Sequence, residues 1–281
     1  MYGALMVDLK GSRDYEPERR NALQQYLVEL TEILNLCFAS GLERRLEFNG
    51  GDEIQGLFTR PADALLCLRL LRRAIFPVPI HGGIGVGEWT VRTPERDTFY
   101  QDGPVYHRAR EAIEQAKKER DYRALMITGR SKDMALNAVL NGIFALTEGN
   151  SSHQNDLALL VELLYPIVSP EGSLDLSGLL ELAELLSRRG ELCEGGKPAK
   201  LRPEAFSEAV RLGPRFLGES WAEARNRNSS ACYSCAHPYG AASAAAALAG
   251  LKRQAVDTAL RAAKVYEERS LTLALLELLP K

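Results

Sequence analysis

Hydrophobic positions keep strand-like and helical periods in alternation up to about Ser131, after which only the helical period continues. Gly3-Ala4-Leu5-Met6-Val7 is a short unbroken apolar run, the mark of a buried strand, and it stops at Asp8. Behind Pro17, the residues Leu23, Leu27, Leu30, Ile33, Leu34 and Phe38 recur at three and four positions, which predicts an amphipathic helix from Pro17 to Phe38. Leu42, Leu46 and Phe48 then share one parity, with Arg44 among them, while Glu43, Arg45 and Glu47 take the other. After Asn49-Gly50-Gly51-Asp52-Glu53 comes a second short apolar stretch, Ile54 to Phe58, so the pair reads as a β-hairpin turning on two glycines. Ala62 to Ile75 is helical again, with a rim of Arg69, Arg72 and Arg73, and Val78 to Val86 reads as a glycine-rich strand.

Strand, helix, hairpin, helix, strand is the order of a ferredoxin-like split βαβ unit, in which the first strand lies beside the hairpin. That topology makes Asp8 and Asp52 neighbours at one end of the sheet. Ala124 to Thr128 is the last strand expected. Helices follow at Met134–Thr147, Asp156–Ile167, Leu174–Arg188 and Pro203–Arg211, separated by Gly, Ser, Asn or Pro turns. Near the end, Ala242 to Ala249, Gly250 and the segment from Leu251 to Tyr266 read as helix, glycine turn, helix, and Glu267 to Leu279 as a final helix with a leucine face. The expected fold is α+β, a βαββαβ domain over residues 1–130 followed by an all-α domain over 131–281 that ends in a helix-turn-helix at about 242–266.

The chemistry gathers at the hairpin tip. Gly50 and Gly51 let a ligand approach the backbone closely while Asp52 and Glu53 stay at the turn. The same residues also make an ordinary hairpin turn. Asp8, at the end of a buried strand, runs into the small basic loop Lys10-Gly11-Ser12-Arg13, whose amides and arginine suit phosphate oxygens. Asp8 and Asp52 together suit Mg²⁺ or Mn²⁺, which take hard oxygen ligands.

These motifs resemble the palm domain of nucleotidyl cyclases, both the GGDEF diguanylate cyclases and the class III cyclases. The ordered segments Asp8 to Arg13, Gly51 to Leu57, Gly83 to Glu88 and Asp102 to Ala112 more specifically resemble the SatD family over about residues 3–130. The cyclase resemblance implies a nucleoside triphosphate as ligand. It implies metal binding by Asp8 and Asp52, a catalytic role for Glu53, and turn glycines Gly50 and Gly51 that admit the nucleotide. It also implies a transition-state arginine at Arg110, whereas Tyr106 stands where class III cyclases carry an asparagine, a departure that weakens cyclisation but not nucleotide binding. Lys10, Gly11, Ser12 and Arg13 would bind the nucleotide through that loop. Arg13, Arg108 and Lys117 are candidate triphosphate contacts by charge and placement, with a solvated helix face the favoured account of Lys117. His107 reads as a surface histidine. Catalysis of this kind brings two palms together, which implies a homodimer.

Composition narrows the partners. Over 281 residues, a 46% hydrophobic content and a net charge of −2 describe an ordinary globular chain without the broad positive charge of a general nucleic-acid binder. No apolar run is long enough to span a bilayer, and Asp8 interrupts the only early apolar stretch, so no membrane contact and a cytoplasmic location are expected. Five cysteines, an odd number, fit a reducing compartment. Cys232, Cys235 and His237 offer three zinc ligands with only Cys193 as a distant fourth, and they read as loop thiols and a histidine. In the last helices, Lys252, Arg253, Gln254, Thr258, Arg261 and Lys264 are the candidate contacts to duplex DNA, as in the helix-turn-helix of sigma-type regulators. Two function classes follow. One is a regulatory protein whose palm binds Mg²⁺–NTP and whose C-terminal helices contact DNA or a partner. The other is an enzyme that joins or cyclises nucleotides with release of pyrophosphate. A palm kept only as a scaffold is the third reading.

Overall fold

The computed structural model describes residues 1–11, 14–49, 53–93, 98–119, 122–169, 171–190, 201–202, 204–216 and 235–280. Five strands, β1 (Tyr2–Leu9), β2 (Leu42–Asn49), β3 (Glu53–Phe58), β4 (Ile80–Gly87) and β5 (Ala124–Ile127), form one mixed sheet in the order β2-β3-β1-β4-β5. β1 runs antiparallel to both β3 and β4, and β4 runs parallel to β5. The first strand thus lies beside the hairpin, as its order in the chain predicts. Among the described residues there are ten α-helices. Three belong to the first half: α1 (Pro17–Cys37), α2 (Pro61–Ala74) and α3 (Pro104–Lys118), each opening on a proline whose missing N–H costs nothing at a helix start.

The sheet is covered on both faces. Leu5, Val7, Leu9, Ile54, Phe58 and Ile80 join α1 and α2 in the main core. Ala4, Met6 and Leu57 on the opposite face meet Val105, Ala109 and Ile113 of α3. Glycines make that second layer close. A Cβ at Gly85 would lie 2.0 Å from the Val105 carbonyl oxygen, and one at Gly83 would lie 2.5 Å from that of Ala109, so α3 rests directly on the β4 backbone. Any larger residue would lift the helix off the sheet.

β2 departs from strict alternation. Register shifts between Leu42 and Arg44 and between Arg44 and Glu47 put Leu42 opposite Phe58 but Arg44 opposite Leu57. Arg44 therefore turns to the α3 face, where its guanidinium lies 5.0 Å over the Trp89 ring, while Leu46 stays in the main core. This accounts for an arginine on the apolar parity of that strand. Both edge strands are closed by an asparagine. Asn35 of α1 bonds the Leu46 N–H and C=O at 2.7 and 2.9 Å. Asn137 does the same for Met126 of β5 at 2.7 and 2.8 Å, and each amide imitates a neighbouring strand.

The remaining helices are α4 (Asp133–Thr147), α5 (Ser152–Leu164), α6 (Leu176–Ser187), α7 (Glu204–Arg211), α8 (Ala241–Ala249), α9 (Arg253–Ala262) and α10 (Val265–Leu278). Ser151 and Gln154 form a reciprocal capping box at the start of α5, and Asp175 caps α6. These helices share the main core with α1, α2 and the sheet. Their tie to α2 is also ionic. Arg69 bonds Glu268 of α10 at 2.5 and 2.8 Å and Glu162 of α5 at 2.8 Å. Arg73 meets Glu268 at 2.9 Å and Arg269 meets Glu162 at 2.7 Å. All five side chains are buried. Burial works against the charges of Glu162 and Glu268, yet the facing arginines outweigh it and hold both carboxyls below their ordinary range.

At the C-terminus the glycine turn falls at Gly250, left-handed at φ 66°, between α8 and α9. The second helix ends at Ala262 rather than running through Tyr266, because Lys264 takes a left-handed φ of 56° and Val265 and Tyr266 begin α10. Cys235 is buried, and the His237 ring lies 3.8 Å from that of Tyr266. Cys193 and Cys232 lie outside the described residues. No helix among the described residues is long and apolar enough to cross a membrane.

Candidate functional site at the end of the sheet

Strand pairing decides what meets at the end of β1. Asp8 stands opposite Glu53 on β3 and opposite His81 on β4, so a carboxylate, a second carboxylate and an imidazole lie in one row across three adjacent strands. Directly paired residues share a face, and this row faces α3. The close seat of α3 on Gly83 and Gly85 brings its cations down to the row. Lys117 Nζ lies 3.0 Å from Asp8 Oδ1, and Arg110 Nη2 lies 3.3 Å from Glu53 Oε1 and 3.5 Å from Gln55 Oε1. Arg110 and Lys117 are seven residues apart, two helical turns, hence on one face. Each carboxylate is thus matched by a helix cation.

His81 is buried, and among the described residues its Nδ1 has no hydrogen-bond partner. Burial holds its pKa below the ordinary histidine range, and Lys10 adds to that, against the opposing pull of Asp8. Lys10 is exposed and donates its N–H to the Pro79 carbonyl at 2.9 Å, which fixes the start of the loop. Gly11 follows with φ 71°, a left-handed conformation that favours glycine, and its carbonyl accepts from Asp14 N–H at 3.0 Å. Ser12, Arg13, Gly50, Gly51 and Asp52 lie outside the described residues.

Arg108 is elsewhere. It donates to the Val86 carbonyl at 2.6 Å, and its guanidinium fills the space beside Gly87 and Gly129, towards the opposite end of β4 from His81. Tyr106 is buried, and burial pushes its phenol pKa up. His107, exposed, pairs through Nε2 with Asp102 Oδ1 at 2.6 Å. A cavity of about 220 Å³ opens here, lined by Gln55, Asp102, Tyr106, Arg110 and their neighbours.

The donor set suits a hard divalent cation in kind, since Asp8 and Glu53 are carboxylates side by side. Among the described residues, no group of three His, Cys, Asp or Glu side chains could hold a metal ion.

The model of the SatD family matches residues 2–165. The chain belongs to the SatD family. No curated protein and no solved structure matches it. The SatD match takes in the whole sheet, α1 to α5 and every residue of the row beneath α3, and it ends before α6 to α10. The arrangement in this SatD protein includes groups that the sequence pattern left aside. Gln55, His81 and the Asp102–His107 pair belong to the site, and Lys117 is an ion-pair partner rather than a purely solvated side chain. One signal of this was present. Ala109, Ala112 and Ala116 give α3 a small-residue face that fits a glycine strand and places Arg110 and Lys117 at its flank.

On the C-terminal helices, Lys252, Arg253, Gln254, Thr258, Arg261 and Lys264 are all exposed, while Val256 and Leu260 are buried. Arg261 pairs with Asp257 at 2.9 Å and Lys264 with Glu267 at 3.8 Å.

Proposed function

We propose that the end of the sheet binds a nucleoside triphosphate with Mg²⁺ or Mn²⁺, and that this palm-like domain serves a regulatory protein whose C-terminal helices contact DNA or a partner. The observation that carries the reading is the row Asp8–Glu53 with Lys117 and Arg110 above it. Asp8 and Asp52 would hold the cation, which neutralises phosphate charge and, in an enzyme, lowers the pKa of an attacking hydroxyl. Lys117 then exchanges carboxylate for phosphate oxygens, a trade that a compact point charge serves well. Lys10 and the loop from Gly11 to Arg13 follow directly on Asp8 in the chain and would add anion contacts. The exposed polar side of α9 supports the DNA or partner contact, since its apolar side is buried and its cations are outside.

A second reading is an active nucleotidyl cyclase or transferase, working as a homodimer. Arg110 beside Glu53 favours it, because both belong to that chemistry in the resembling cyclases. Buried Tyr106 at the asparagine position weighs against cyclisation. The test is a titration of the full chain with ATP, GTP, CTP and UTP, with and without Mg²⁺ or Mn²⁺, following melting temperature and pyrophosphate release. Metal-dependent stabilisation, lost in Asp8→Asn and Asp52→Asn, is expected. Pyrophosphate release that vanishes in Asp52→Asn would make the protein an enzyme, and no response to any nucleotide would remove the nucleotide reading.

A further inference from the structure

The cavity beside Glu53 and Arg110 has a built wall. The turn at Thr98–Tyr100 is fixed to the hairpin by Thr98 N–H on Glu47 Oε2 at 2.8 Å and Thr98 Oγ1–H on the Arg45 carbonyl at 2.8 Å. Gln55 Nε2 completes it by donating to the Thr98 carbonyl at 2.9 Å. Gln101 is committed as well, its amide accepting from Thr93 N–H at 3.0 Å and donating to the Thr93 carbonyl at 2.7 Å.

Three groups at this cavity keep bonding capacity. Tyr106 is 4% exposed, and its hydroxyl has no hydrogen-bond partner among the described residues. A hydroxyl buried in that way is unfavourable unless something supplies the partner. Among the described residues Arg110 makes only the long contacts to Glu53 and Gln55, and its guanidinium retains N–H groups to give. Asp102 takes Gly103 N–H at 2.7 Å and His107 through Oδ1, and its Oδ2 has no partner among the described residues.

We propose that this cavity is the base subsite of the nucleotide site and that it takes a lactam edge, a ring carbonyl beside a ring N–H, as in guanine or uracil. The inference rests on the nucleotide reading above and adds the identity of the base. A carbonyl accepts from Tyr106 and Arg110, and the adjacent N–H donates to Asp102. Adenine and cytosine present an amino group where guanine and uracil present the carbonyl. Arginine has no acceptor to offer that amino group, so two donors would face each other. At about 220 Å³ the space is smaller than the roughly 300–1,000 Å³ of pockets that enclose whole ligands. It suits the ring alone, with sugar and phosphates lying outside towards Lys117 and Asp8.

Equilibrium binding of GTP, UTP, ATP and CTP to the full chain, with Mg²⁺ present, tests this in the wild type, Tyr106→Phe and Asp102→Asn. GTP and UTP are expected to bind about tenfold more tightly than ATP and CTP, the factor one hydrogen bond supplies. Tyr106→Phe should keep or raise the melting temperature of the free protein, because the lost hydroxyl had no partner, while it reduces that preference. Asp102→Asn should reduce it too. Equal affinity for all four, or a preference unchanged in Tyr106→Phe, overturns the base subsite and leaves the nucleotide reading in place. Absence of binding to any of the four removes both.

Discussion

Lys117 Nζ and Asp8 Oδ1 lie 3.0 Å apart, so the last turn of α3 closes the carboxylate end of β1 with a cation. A cation already seated on a carboxylate competes with a metal for it. Mg²⁺ alone is therefore expected to bind weakly, and Mg²⁺ with a triphosphate to bind together, since phosphates give Lys117 a new partner. Calorimetric titration of Mg²⁺ into Lys117→Met should show affinity raised by about fivefold, a figure kept small because the pair is partly exposed. Equal Mg²⁺ affinity in wild type and variant would separate Lys117 from the metal site.

Gly85 is the position at which the second layer is most easily broken. A methyl group there meets the Val105 carbonyl, which is backbone and cannot rotate away. Gly85→Ala is expected to destabilise by about 1–3 kcal/mol, as overpacking does. It should also weaken any nucleotide affinity, because a lifted α3 carries Arg110 and Lys117 off their carboxylates. Urea denaturation beside the binding assay checks both, and an unchanged midpoint would deny the close seat of α3.

The buried network of Arg69, Arg73, Glu162, Glu268 and Arg269 sets an acid limit. Glu162 and Glu268 have folded pKa values depressed below the ordinary 4.5, so the stability they contribute is present above that pH. It is lost as the pH falls from there towards their folded values. Arg69→Met, which leaves carboxylates short of a partner, should cost about 3–5 kcal/mol near neutral pH. Melting temperature measured from pH 7 down to pH 3 should fall steeply in the wild type and start lower in the variant.

Duplex binding tests the C-terminal helices. Changing Lys252 and Arg253 together to Ala should reduce affinity and flatten the dependence of log K on log salt by about 1.8, since each phosphate contact contributes about 0.9. Wild-type protein that binds no duplex even at low salt would turn the reading towards a protein partner.

The sheet was legible because its strands are short apolar runs parted by glycine and its helices repeat leucine at helical spacing. That pattern put β1 beside the hairpin and Asp8 at a sheet end. The parts that could not be read are those set by three-dimensional register. Arg44 sits on an apolar parity because register shifts on either side turn it over, and such shifts leave little trace in a period. Gly83 and Gly85 read only as part of a glycine-rich strand, and nothing in the pattern shows that their neighbour is the α3 backbone. Arg108 carried the charge of a phosphate contact but spends a guanidinium hydrogen bond on Val86, towards the far end of β4 from His81. Lys117 lay too far along the chain from Asp8 for spacing to join them.

The family match ends at residue 165, yet Arg73 finds its carboxylate on Glu268, and Arg69 shares that same glutamate. Shortening the protein to its matched region would strand positive charge inside it. Any homologue that has shed or replaced its C-terminal helices must then have changed those arginines too, or brought a counter-charge from another direction. The two halves are coupled in space by these charges, and substitutions at positions 69, 73 and 268 are expected to travel together among relatives.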